Sequence, residues 1–184
     1  MKKYIVLLSA LVSIVACKKT DTKFLITKDR VGVLEKNTPV AKLDSIYAKD
    51  SLVNTTFEGE LRYASTERII VFEKGGSGLL EITPATNANN EKVAESILIL
   101  DPRFTTEEGI SLVSTYKDIK DKYADFQIEH TLKSILITPN DKNYYFTIDK
   151  SFLKNNNFGL SSDITKNDIE DEAKIMRITI NWDL

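Results

Sequence analysis

Apolar positions along this chain recur mostly in short runs with a period of two. Residues 24–27, 52–57, 68–73, 79–83, 96–100, 134–138, 144–148 and 174–182 are mostly rich in β-branched and aromatic side chains and bounded by turn formers, the pattern of strands on a half-buried pleated surface. Lys74-Gly75-Gly76-Ser77-Gly78 and Pro139-Asn140-Asp141-Lys142-Asn143 join two pairs of these runs as hairpins, because tight reversals need positive φ or turn-forming side chains. In the last run Met176, Ile178, Ile180 and Trp182 fall on one face and Arg177, Thr179 and Asn181 on the other, which predicts a half-buried strand.

Two stretches change period. Thr38 stands before Pro39 as an expected N-cap with proline at the first helical position, and Val40, Leu43, Ile46 and Tyr47 follow at helical spacing. Thr115 with Asp118 three residues on predicts a capping box, and Ile119 and Tyr123 supply the buried stripe. Gly32 precedes Thr38 by the same interval as Gly109 precedes Thr115, and Leu43, Tyr47 and Ala48 match Ile119, Tyr123 and Ala124 after a one-residue gap. Each segment leads into β runs, so the chain reads either as a strand-helix-hairpin pseudo-repeat or as local recurrence of the same helix signals. The expected class is α+β, mostly antiparallel sheet with two short helices. The Gly-x₅-Thr-then-helix pattern resembles small envelope modules of the outer-membrane assembly lipoprotein and β-lactamase-inhibitor type; no functional residue carries over from that resemblance.

The beginning of the sequence has a different character. Lys2 and Lys3 precede an apolar stretch broken only by Tyr4, Ser9 and Ser13, and the chain turns polar at Lys18-Lys19-Thr20-Asp21. This is the layout of a secretory signal peptide, and it falls short of the ~20 apolar residues that cross a bilayer. Leu11-Val12-Ser13-Ile14-Val15-Ala16-Cys17 resembles the lipobox of bacterial lipoproteins. The resemblance implies cleavage before Cys17, a diacylglyceryl thioether and further acylation (palmitate among the chains) on that residue, and a bilayer as its partner. The expected organisation is therefore 1–16 signal peptide, 17–23 lipidated tether and 24–184 a single α+β domain. Lys18 stands where an aspartate would resemble an inner-membrane retention signal, which points to the outer membrane facing the periplasm.

Removal of 1–16 takes two of the 25 basic residues and none of the 27 acidic ones, leaving 23 against 27 and a formal charge of −4. No basic stripe or high pI marks a nucleic-acid partner. With Cys17 acylated no thiol is left for a disulfide, so stability has to come from a core.

Candidate chemistry is sparse. His130 is the sole histidine and no Gly-x-Ser-x-Gly elbow exists, so a strand histidine is a better reading than a triad. One histidine without a free cysteine does not build a zinc site. Asp163, Asp168, Glu170, Asp171 and Glu172 read as a solvated loop with a short helix capped by Thr165, in preference to a calcium site. Gly75-Gly76-Ser77-Gly78 lacks the P-loop order. The loop from Asp101 to Gly109 places Arg103 beside Asp101. Arg103 has the donor fork that recognises carboxylates or phosphates, and a local Asp101–Arg103 turn is the plainer account. These residues are the weak ligand-binding candidates; no catalytic residue, metal or cofactor is expected. The predicted role is a non-catalytic envelope binding or structural module with an envelope protein as a candidate partner. The rival readings are a carboxylate-based hydrolase of envelope carbohydrate using Arg103, and a periplasmic enzyme inhibitor.

Overall fold

The computed structural model of the protein describes residues 22–58, 65–155 and 163–182. The leader 1–16, Cys17, the tether as far as Asp21, and Asn156 and Asn157 of the asparagine run lie outside the described residues.

A 3-10 turn at Thr22–Phe24 opens the fold, followed by three short strands, β1 (Leu25–Ile26), β2 (Arg30–Val31) and β3 (Leu34–Glu35). A second 3-10 turn, Val40–Lys42, runs into α1 (Leu43–Ile46). Four strands come next, β4 (Ser51–Glu58), β5 (Ser65–Phe72), β6 (Gly78–Thr86) and β7 (Lys92–Ile99), and then the short β8 (Thr105–Thr106). The chain continues through α2 (Tyr116–Lys122), β9 (Phe126–His130), β10 (Ser134–Pro139), β11 (Tyr144–Asp149), a 3-10 turn at Lys150–Phe152 and β12 (Ile175–Asn181). The fold is thus mainly antiparallel sheet with two short α-helices, as the sequence pattern predicts.

The large sheet has the order β4-β5-β6-β7-β12-β11-β10-β9. It consists of two four-stranded meanders, each preceded by a helix, joined where their last strands pair antiparallel through Thr179↔Leu98 and Ile180↔Ile97. The segments before the helices also behave alike: Pro39 bridges Val93 near the start of β7, and Thr115 bridges Lys174 just before β12. A small sheet, β3-β2-β1-β8, contains a parallel pair, β1 with β8. One core cluster takes Ile26, Val31 and Leu34 from the small sheet, Leu43 and Ile119 from the helices, and Ile82, Ile97, Phe146 and Ile180 from the large sheet. Trp182 is fully buried at the seam, and its Nε1 donates to the Lys28 carbonyl (3.2 Å), which also accepts from Asn143 Nδ2 (2.6 Å).

Three expectations need correction. Thr38 does not cap: Pro39 holds the N-cap position without a side-chain bond, and Thr38 Oγ1 instead donates to the Glu35 carbonyl (2.7 Å). Its backbone is occupied with the sheet, where the Thr38 carbonyl accepts from Ala94 N (3.0 Å), and tertiary pairing overrides the local capping signal. Met176 is 47% exposed whereas Ile175 is buried. The β11–β12 register steps from Thr147↔Arg177 to Ile148↔Ile175, so Met176 is the extra residue of a bulge: Ile178, Ile180 and Trp182 keep the predicted buried face, and on the other side of the bulge it passes to Ile175. Thr165 caps no helix. Its N–H and Oγ1 both bond Asp168 Oδ2 (2.8 and 2.5 Å) in a turn. The Thr115 capping box is formed as expected, with Asp118 Oδ2 accepting from Thr115 N at 2.7 Å.

Candidate functional site

A cavity of about 460 Å³ opens between the end of α1, the turn joining β2 to β3, and the start of β6, a volume within the ~300–1,000 Å³ of small-molecule sites. Phe24, Val33, Ile46, Leu79, Leu80 and Phe104 give it an apolar wall, and Lys23, Lys49 and Asp50 stand among its polar residues. Gly32 shapes this end of the molecule. It has φ +60°, and a Cβ there would lie 2.4 Å from the Lys23 carbonyl oxygen, so only glycine lets the entering chain lie against the turn. Phe24 and Phe104 meet edge to face, with centroids 5.2 Å apart.

Tyr47 also lines the cavity. It is 5% exposed, and its hydroxyl has no hydrogen-bond partner among the described residues. Burial, and then the charge of Asp50, push its ionisation far above the usual phenol range, so the group is a neutral, sealed hydroxyl.

Asp101 and Arg103 come together at the edge of this cavity. Arg103 Nε and Nη2 reach the two oxygens of Asp101 (2.9 and 2.7 Å), and the Arg103 N–H adds a bond to Asp101 Oδ1 (2.8 Å). Nη2 also binds Glu73 Oε2 (2.6 Å), Lys23 binds Glu73 Oε1 (3.1 Å), and the guanidinium lies 4.4 Å from the Phe24 ring centroid. The hydrogen bonds from Arg103 hold both carboxyls below their ordinary ionisation range, with Lys23 adding to the effect at Glu73. An incoming phosphate or carboxylate would have to displace Glu73 or Asp101. The cluster therefore acts as a strut that fixes the 101–104 loop, and with it Phe104, against the cavity.

A second polar cluster lies in the other half. Glu108 Oε2 accepts from Tyr123 (2.8 Å) and Tyr144 (3.1 Å), and Lys142 binds Glu108 Oε1 (2.6 Å). The two phenol oxygens are 2.9 Å apart, and Thr106 Oγ1 lies 3.0 Å from that of Tyr123. Burial pushes Glu108 up, but the bonds from Lys142, Tyr123, its own backbone and Tyr144 outweigh this and bring its pKa down to about 2. Every member is satisfied within the group, which marks it as a rivet between the 105–109 loop, α2 and β11.

His130 is half-buried in β9 with Nδ1 3.3 Å from Lys150 Nζ. Among the described residues no three His, Cys, Asp or Glu side chains converge as a metal site, and no helix is long and apolar enough to cross a membrane. Sequence reasoning missed Glu73, Phe24 and Tyr47 as neighbours of Arg103 and Phe104, and missed the Glu108 cluster. Tyr47 and Tyr123 were visible only as helical stripe positions, and Tyr144 only as the start of a strand run.

No protein-family model matches the chain, and no curated protein does. A fold match exists. The crystal structure of the uncharacterized protein yfeY from Escherichia coli superimposes with a TM-score of 0.56 at 11% identity, covering 85% of this chain and 99% of that one. At that identity the likeness establishes a shared fold and nothing about chemistry.

Proposed function

We propose that this chain is an envelope lipoprotein, anchored through acylated Cys17 in the outer membrane and facing the periplasm, whose folded domain is a non-catalytic binding module. The observation that carries the binding role is the apolar cavity beside Phe24, seven residues beyond Cys17: it puts a ligand-sized hydrophobic space where the fold meets its anchor. Support also comes from the polar clusters, whose charged groups are bonded to one another in load-sharing pairs and networks. The lipobox-like run and the leader support the anchor. Cys17→Ser is expected to abolish palmitate incorporation and signal-peptide processing; a variant that still labels and matures would overturn it. Crosslinking of the native lipoprotein in envelope fractions tests the module, and recovery of free monomer with measurable turnover would refute it.

We also propose that the two helix-plus-meander halves are copies of one unit. The paired Pro39–Val93 and Thr115–Lys174 bridges, the positive φ of both Gly32 and Gly109, and the meeting of β7 with β12 support a duplication about an axis through the seam.

A further inference from the structure

We infer that the cavity beside Tyr47 houses an acyl chain carried by Cys17 of the same polypeptide. The inference rests on the reading of Cys17 as lipidated, and it adds where one of the lipid chains goes.

The wall is hydrocarbon-like: Phe24, Val33, Leu79, Leu80 and Phe104 line the space, and Val33 at the turn is 50% exposed. Burying an acyl methylene in such surroundings is worth ~0.8 kcal/mol, comparable with burying it in a membrane, so cavity and bilayer compete on nearly equal terms. Reach favours the cavity. Six residue steps separate Cys17 from Lys23, a span of at most about 20 Å, and the Lys23 backbone is pressed against Gly32, next to Val33. A group joined to its site by so short a stretch of chain acts at an effective concentration of order millimolar when the stretch can span the gap.

The rim charges select the tethered chain over a free lipid. A free fatty acid or phospholipid brings an ionised head that needs a partner, and the two cations over the Phe24 ring are already matched, Lys23 with Glu73 and Arg103 with Asp101 and Glu73. An acyl chain ester-linked to the glyceryl thioether of Cys17 enters without an ionised head group and asks nothing of these pairs. The domain would then sit flush on the membrane, one chain drawn into the protein and the remainder in the bilayer.

The test uses the full-length lipoprotein produced in cells fed a fatty acid with a mid-chain diazirine, then purified, placed in nanodiscs and irradiated. The expected product is an intramolecular crosslink from the Cys17 lipid to peptides containing Val33 or Leu79 and Leu80. Val33→Trp, at a half-exposed position that leaves the core alone, should cut that crosslink by about tenfold or more. Label on Cys17 with crosslinks confined to surrounding lipid would overturn the inference and leave the anchor standing. Cys17 without label would overturn the anchor and the inference together. A photoactivatable phospholipid added in trans that labels these peptides while the Cys17 chain does not would assign the cavity to exchangeable lipid and defeat the proposal, as would a crosslink undiminished in Val33→Trp.

Discussion

Tyr47 and Tyr123 occupy the same place in the two halves: each is the C-cap of its helix and donates its backbone N–H to the residue four before it, Leu43 and Ile119 respectively, both at 2.9 Å. Their hydroxyls have opposite fates. That of Tyr123 joins Thr106, Glu108 and Tyr144 in a filled polar network, and that of Tyr47 is buried unbonded beside an apolar cavity. An unmade buried hydrogen bond costs about 1–3 kcal/mol. One half ties its polar groups to one another, and the other leaves the Tyr47 hydroxyl without a partner among the described residues.

The contrast can be broken most forcefully at Glu108. Glu108→Ala removes the acceptor shared by two buried phenols and the nearer partner of Lys142, with an expected loss of about 2–3 kcal/mol and a fall in Tm of roughly 5–10 °C. The same residue sets an acid limb. Its folded pKa of about 2 lies below the ordinary 4.5, so its contribution is fully present above about pH 4.5 and disappears as pH falls from there toward 2. Denaturant melts across that window should show a shallower slope in Glu108→Ala than in the wild type; parallel slopes would contradict the assignment.

Gly32→Ala comes next. It forces a side chain into positive φ and against the Lys23 carbonyl, at an expected cost of about 2 kcal/mol, measurable as a lower urea midpoint. The same change at Gly109, where a Cβ meets nothing within 4 Å, should cost less. The smallest effect is the most diagnostic. Tyr123→Phe should destabilise by about 1 kcal/mol, and Tyr47→Phe should be neutral or stabilising by up to about 1 kcal/mol. Equal losses in the two variants would mean that the hydroxyls are equivalent after all.

Much of the scaffold was legible because its signals are local. The β-branched runs mark seven of the eight strands of the large sheet, all but β9, while the run at 24–27 falls on the short β1, and the Thr115–Asp118 box announces α2 through a side chain and a backbone three residues apart. Thr38 misled for the complementary reason: its neighbours are in β7, far along the chain, and they claim the backbone that a cap would use. Met176 misled because a bulge is a property of two strands together. Asp101 and Arg103 could be paired from spacing alone, but Glu73 is 30 residues away from Arg103 and reaches it only through the β5–β6 hairpin. The cavity draws its wall from five separate segments, and no periodicity records a space. The strands β2, β3 and β8 were missed because two-residue strands carry no period to read.

The seam between β7 and β12 has a kinetic consequence. Ser96 and Asn181, which bond across it, are 85 residues apart in sequence, and contacts of such separation form slowly because a long loop has to close first. As synthesis proceeds, the first meander emerges with β7 as an unsatisfied border, and only the arrival of β12 seals it. Until then that border is open to any passing strand, so the nascent protein is most exposed to misassembly along the line that afterwards joins its two halves.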